Sequence, residues 1–211
     1  YEGLKVTDAY QNLESPLVVS SPINYTPNKK SLVIKEMTFQ LKDQFQQLAN
    51  ITSHPILFLI RDPRLSISSR ISKKIAGNLP TDYPLKENGW EDLIKQIRTA
   101  EDLDFSYKIL DTTQFRIKPE FYIKKLCSIY GIKYKPNMLS WTPKPDLPLD
   151  NLNGKHRYLY ARVLESTGIE PPIEPIPDIS KFSENNDVRA YVNQATLDFH
   201  KLKRSRKVIR P

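Results

Sequence analysis

The residue types and spacing best suited to binding chemistry are Arg61 and Ser69, which stand eight positions apart. They follow a short apolar run, 56–60, that is typical of a strand covered on both faces. Pro63 lacks an N–H and fits the first turn of a helix, so we predict a turn and then a helix over about 64–76. Unpaired N–H groups at a helix start favour a phosphate, and Arg61 and Ser69 could converge on it. A buried strand followed by an ordinary basic surface helix explains the same pattern, so both interpretations stay open at this point.

Residues 57–64, Leu-Phe-Leu-Ile-Arg-Asp-Pro-Arg, followed by Ser69, resemble a segment of the sulfotransferases that use PAPS (3′-phosphoadenosine 5′-phosphosulfate). In that family the segment binds the 3′-phosphate. The likeness is greatest to a divergent, mainly bacterial group of sulfotransferase-like P-loop proteins. The resemblance implies that PAPS is the co-substrate and that Arg61, Ser69 and Arg64 help to bind it.

A second candidate group follows the strand predicted over 31–35, whose carboxyl tip is where α/β folds bind ligands. The common cytosolic sulfotransferases carry Lys-Thr-His here, with the His as catalytic base, whereas this chain has Lys35, Glu36 and Met37. The resemblance implies a catalytic role for Lys35. Met37 cannot accept a proton, but Glu36 could act as the base if burial raised its pKa. Glu36 could equally be a structural carboxylate that pairs with Lys35 or Arg61.

A third candidate group is the basic segment Gly-Lys-His-Arg at 154–157. In PAPS enzymes a late basic segment completes the 3′-phosphate pocket, so the resemblance implies that Lys155 or Arg157 does so here. The sequence has no clustered His, Cys or Asp spacing of the kind that holds a metal, and we therefore expect none. The family's phosphosulfate-binding loop is not visible in residues 1–30. We expect it to lie upstream of Tyr1, although its loss is an alternative.

The remaining periodicity predicts alternating strands and helices, and hence a parallel sheet with right-handed crossovers. With the resemblance, this implies a three-layer P-loop-type α/β domain, in which helices flank a central parallel sheet. We expect residues 1–211 to form one domain that ends in a basic helix within 183–211. The predicted strands are 31–35, 56–60 and 107–111, and the predicted helices are 40–49, 64–76, 90–102, 118–130, 155–165 and 184–204.

The net charge of +8 suits a polyanionic ligand, such as a phosphorylated nucleotide, a nucleic acid or an anionic membrane surface. The basic residues near the C-terminus have no interleaved aromatics or nucleic-acid motif, and we interpret them as a solvated helix end. There is no apolar stretch of bilayer-spanning length and no signal-peptide pattern. The single cysteine, Cys127, excludes an internal disulfide. We therefore expect a cytoplasmic protein without a membrane or nucleic-acid partner.

The function implied by the resemblance is transfer of a sulfuryl group from PAPS to a hydroxyl or amine of a small-molecule acceptor. One alternative is a degenerate P-loop nucleotide-binding module that has lost transferase activity. The other is a small-molecule kinase, which would need a Walker-type loop and an Asp for magnesium. A homo-oligomer stays open, because the sequence does not decide the oligomeric state.

Overall fold

The structure is a computed structural model that describes residues 34–41, 44–78, 85–143, 157–172, 175–178 and 186–211. This part of the chain contains two short parallel strands and eight α-helices, with two helices before β1, two between the strands and four after β2. Short 3-10 turns lie at Leu85–Asn88 and Pro136–Leu139. In chain order the elements are α1 (Thr38–Leu41), α2 (Phe45–Asn50), β1 (Ile56–Ile60), α3 (Pro63–Ala76), α4 (Trp90–Asp102), β2 (Tyr107–Asp111), α5 (Thr112–Ile117), α6 (Pro119–Ile129), α7 (Arg157–Glu165) and α8 (Asn186–Arg204).

The strands β1 and β2 pair in parallel along their whole length, with Ile56 opposite Tyr107 and Ile60 opposite Asp111. A third segment runs parallel to β2 on its other side. There the N–H of Ile109 donates to the carbonyl of Lys207 at 3.0 Å, and the N–H of Ile209 donates to the carbonyl of Ile109 at 2.9 Å. The end of the chain therefore extends the sheet, which the sequence patterns did not predict.

Apolar side chains leave the sheet on both faces, as the continuous apolar runs predict. On one face, Phe58, Ile60 and Ile109 lie in the main core with α2, α4 and α8. On the other face, Leu110 packs with Tyr122 of α6. Helices thus pack against both faces of the described sheet, and the expected mixed α/β class with a parallel sheet is confirmed.

Both strands and the helices α3, α4 and α6 lie within one or two residues of their predicted bounds. The helix predicted over 40–49 is instead two short helices, α1 and α2. The strand predicted over 31–35 is not present at Ile34 and Lys35, and residues 31–33 lie outside the described residues. Strand propensity depends on a pairing neighbour. Here the chain enters α1 directly, with the carbonyl of Met37 accepting from the N–H groups of Gln40 (2.9 Å) and Leu41 (3.3 Å).

The basic C-terminal segment is more ordered than the solvated helix end that we predicted. The ammonium of Lys203 lies 3.2 Å from the buried carboxylate of Asp111. The guanidinium of Arg210 donates to the carbonyls of Lys203 (2.8 Å) and Ser205 (3.1 Å) at the end of α8. Two of these basic side chains therefore stabilise the fold, because they pair a buried acid and unsatisfied helix carbonyls.

Candidate functional site

The turn between β1 and α3 is closed by Asp62, a buried carboxylate at the N-cap of the helix. Its Oδ1 atom accepts from the backbone N–H of Arg64 at 3.0 Å, and its carbonyl accepts from Leu65 (3.0 Å) and Ser66 (3.2 Å). Pro63 has no N–H to offer. The N–H groups of Arg64, Leu65 and Ser66 are therefore bonded to Asp62 and not unpaired as we expected. Phosphate binding at this helix start stays a prediction, and it would depend on side chains.

The guanidinium of Arg64 is held on the same carboxylate. Its Nε donates to Oδ1 of Asp62 at 2.9 Å and its Nη2 donates to Oδ2 at 2.6 Å. These hydrogen bonds raise the pKa of Arg64; burial, the second-largest effect, opposes them, and the negative charges of Asp62 and Asp178 add to the rise. Arg64 thereby stiffens the turn that carries Arg61, and its predicted contact with a cofactor stays a prediction.

Arg61 stands directly after β1, and Ser69 lies in the second turn of α3. Residues three or four apart share a helix face, so Ser66, Ser69 and Lys73 form one stripe along α3. The positive charge of Arg61 contributes to lowering the pKa of Lys73. The charge of Arg61 thus acts on Lys73, one turn along α3 from Ser69, and the convergence of Arg61 and Ser69 on one anion stays a prediction.

Further cations surround this stripe. Burial of the amine is the first cause of the lowered pKa of Lys73, and the charges of Arg70, Arg162 and Arg61 follow in that order. Arg70 is paired with Glu87, while Arg162 of α7 contacts Glu170 at 2.8 Å. We call Arg61, Arg70, Lys73 and Arg162 the cationic face. Lys73 could have been found from its spacing to Ser69, but no local signal links Arg162 to a helix some ninety residues earlier.

Two segments, one at Trp141 and one at Arg116, brace the chain that follows α7. The N–H of Trp141 donates to the carbonyl of Thr167 at 2.9 Å, and its ring Nε1 donates to Ser166 at 3.2 Å. Arg116 of α5 donates to the carbonyls of Glu170 and Pro171, both at 2.8 Å. The chain after α7 is thus tied to α5, which follows β2 directly. These hydrogen bonds hold Glu170, the acidic partner of Arg162, beside α7.

The other predicted site residues are only partly described. Lys35 is exposed and Glu36 is half-buried, immediately before Met37 and α1. Arg157 begins α7, but its side chain lies outside the described residues, as does the whole of Lys155. The roles assigned to these four residues stay predictions.

Residues 89–206, more than half of the chain, match the family model described as a sulfotransferase domain. Searches of curated proteins and of solved structures found no match. The matched stretch runs from the start of α4 to just past α8, so β1, α3 and residues 35–37 lie upstream of it.

In the described part of the chain, none of the helices is long and apolar enough to cross a membrane. Over the same ranges, no three His, Cys, Asp or Glu side chains lie together as metal ligands would.

Proposed function

Since the chain belongs to the sulfotransferase domain family, we propose that it transfers a sulfuryl group from PAPS to a hydroxyl or amine of a small-molecule acceptor. The family match supports sulfuryl transfer, while PAPS as donor and the class of acceptor are our proposal. The observation that carries the proposal is that Arg61 follows the carboxyl end of β1 and that its charge acts on Lys73 of α3, within the cationic face.

This face fits a phosphorylated nucleotide. The pKa of Lys73 is lowered first by burial and then by the charges of Arg70, Arg162 and Arg61, so the amine of Lys73 lies in a net positive environment even though Arg70 and Arg162 are each paired with an acid. A bound phosphate would offset that positive charge. Arg61 would bind the 3′-phosphate with two N–H groups and Ser69 with its hydroxyl. We assign Lys155 and Arg157 to the same phosphate, while Arg64 acts through Asp62 to keep Arg61 in place.

PAPS supplies a sulfuryl group already attached to a phosphate leaving group. The chain has to position the two reactants and stabilise the negative charge that develops on the leaving side. We propose that Lys35 does the second and that Glu36 receives the proton of the acceptor. Arg61 and Ser69 contribute by fixing the nucleotide.

We further propose the three-layer P-loop-type arrangement for the complete sheet. Helices packed on both faces of the described sheet support it. We also propose a single domain over 1–211 and a cytoplasmic location. The expected partner is a small molecule and not a nucleic acid or a membrane, and a homo-oligomer stays open.

Calorimetry with adenosine 3′,5′-bisphosphate and with ATP plus magnesium tests the donor site. We expect preferential binding of the bisphosphate, weakened about 10- to 100-fold in Arg61→Ala and in Ser69→Ala, because each change removes hydrogen bonds to a charged group. Arg98→Ala and Ser128→Ala are matched controls on exposed helix positions and should bind normally. A preference for ATP with magnesium would favour a kinase, and binding of neither nucleotide would favour a degenerate module.

Transfer itself is tested by incubating the chain with a metabolite extract and PAPS that carries labelled sulfur. Label should appear in a small molecule in the presence of the unmodified chain and not with Lys35→Ala. Label that appears equally with both proteins would remove Lys35 from the mechanism.

A further inference from the structure

Gln96 is a buried polar side chain whose role differs from that of the buried acids Asp62 and Asp111. Those two cap α3 and α5, whereas Gln96 lies on the buried face of α4. Its Nε2 donates to the carbonyl of Thr38 at 2.8 Å. Its Oε1 has no hydrogen-bond donor among the residues that the structure describes. Burying a half-satisfied amide is costly, which points to the contact with Thr38 as its purpose.

Thr38 is held a second time at the start of α4. Its hydroxyl donates to the carbonyl of Gly89 at 2.8 Å. Gly89 has φ +69°, and a Cβ at this position would overlap the Thr38 hydroxyl. Both contacts join residues more than fifty positions apart, so they are tertiary contacts and not part of a local turn. We call Thr38, Gly89 and Gln96 the Thr38 anchor.

The anchor lies immediately after the proposed catalytic residues. Residues 34–37 have no regular structure, while the carbonyl of Met37 already accepts the first hydrogen bonds of α1. Phe39, the residue after Thr38, is buried. The described chain thus becomes fixed at 37–39, and the placement of Lys35 and Glu36 depends on that point.

We propose that Gln96 is a positioning residue, which acts through Thr38 to hold Lys35 and Glu36 in place for sulfuryl transfer. The inference rests on the proposed function, because the proposed function places Lys35 at the leaving phosphate of PAPS. Small displacements of a reacting group lower rates steeply. Loss of the Thr38 anchor should therefore weaken the interaction of Lys35 with the 5′-phosphate, while Arg61 and Ser69 still bind the 3′-phosphate.

The test compares the affinities of the full chain for adenosine 3′,5′-bisphosphate and adenosine 3′-monophosphate by calorimetry. The two probes differ only in the 5′-phosphate, so the ratio of their affinities measures the contribution of all groups that bind this phosphate, and the drop in Lys35→Ala gives the share of Lys35. In Gln96→Leu and in Thr38→Val we expect this ratio to fall about tenfold, towards that of Lys35→Ala, with the monophosphate affinity unchanged. Thr38→Ser keeps the hydroxyl and should keep the ratio. Gln194→Leu makes the same exchange on an exposed face of α8 and should also keep it.

Hydrogen exchange measured without nucleotide completes the test. Amides at 38–41 should exchange faster in Gln96→Leu than in the unmodified chain, while thermal unfolding shows that both are folded. An unchanged affinity ratio in Gln96→Leu and Thr38→Val refutes the inference alone. Binding of neither probe by the unmodified chain refutes the proposed function, and the inference then falls with it.

Discussion

Replacing Gly89 with alanine should destabilise the protein more than the same replacement at Gly131. Both glycines have a positive φ, +69° and +64°, so each substitution carries the cost of a left-handed residue, about 1–2 kcal/mol. At Gly131 a Cβ meets nothing within 4 Å, whereas at Gly89 it overlaps the hydroxyl of Thr38. Moving that hydroxyl away loses its hydrogen bond to Gly89, a further ~0.5–1.5 kcal/mol, and adds strain. We therefore expect Gly89→Ala to cost about 1–3 kcal/mol more than Gly131→Ala.

Urea unfolding measures the free energy of unfolding of both variants. The dependence of this free energy on urea concentration should be the same in each protein, so that differences in midpoint report differences in stability. A third protein, Gly89→Ala with Thr38→Ala, isolates the overlap. If the hydroxyl is the obstacle, the two changes together should cost less than the sum of their separate costs. Equal destabilisation in Gly89→Ala and Gly131→Ala would show that α4 approaches Thr38 less closely than the structure has it.

Two further predictions concern buried ionisable groups. Asp62→Ala should lower the free energy of unfolding by about 2–4 kcal/mol, since it removes a helix cap and a charged pair. The control Asp102→Ala, at an exposed position, should change the free energy of unfolding little. Equal losses in the two variants would contradict the capping role of Asp62. Burial raises the pKa of Tyr107, Tyr122 and Tyr130, so these phenols should contribute stability that is lost as the pH rises above about 10. The chain has eleven tyrosines, so tyrosinate absorbance is followed against pH in the unmodified chain and in Tyr107→Phe, Tyr122→Phe and Tyr130→Phe. The absorbance that each replacement removes should appear only as the chain unfolds, and its appearance near pH 10 in the folded chain would contradict this.

The elements that the sequence predicted well carry their signals locally. The run 56–60 is continuous and apolar, and the residues Asp62 and Pro63 after it specify a cap and a first helical residue within the same few positions. The helix α4 keeps Leu93 and Ile97 on one face at helical spacing, which is sufficient to predict it without knowing its neighbours.

The elements that it missed depend on partners far along the chain, with one exception. Ile34 has strand propensity, but Thr38 is held by residues 51 and 58 positions away, and no local pattern contains that information. The pairing of Val208 with Ile109 likewise joins residues far apart in the sequence, and it is a single isolated bridge. The exception is α5, where Asp111 caps Thr113 and Gln114; an Asp followed three residues later by Gln is a local capping signal that could have predicted this helix.

The candidate site shows the same division. The spacing of Arg61 and Ser69 was available from the sequence, and the charge of Arg61 acts on Lys73, one turn along α3 from Ser69; the convergence of the two on one phosphate stays a prediction. The capping of α3 by Asp62 was not anticipated as a competitor for the helix N–H groups, although an Asp before Pro is a common helix start. Arg162 joins the cationic face only because α7 packs against α3, which is a property of the fold.

The family match begins at residue 89, yet the proposed donor site lies upstream of it, so the contacts between the two parts decide whether they form one unit. All five residues of β1 pair with β2, and the hydroxyl of Thr112 donates to the carbonyl of Ile60 at 3.1 Å. Ile67 of α3 is fully buried against Val192 of α8. Without β1 and α3 the matched stretch would expose the edge of β2 that pairs with β1 and the apolar side chain of Val192 that Ile67 covers, which would cost free energy of folding. These contacts support our proposal that β1 and α3, and with them Arg61 and Ser69, form one unit with the matched stretch.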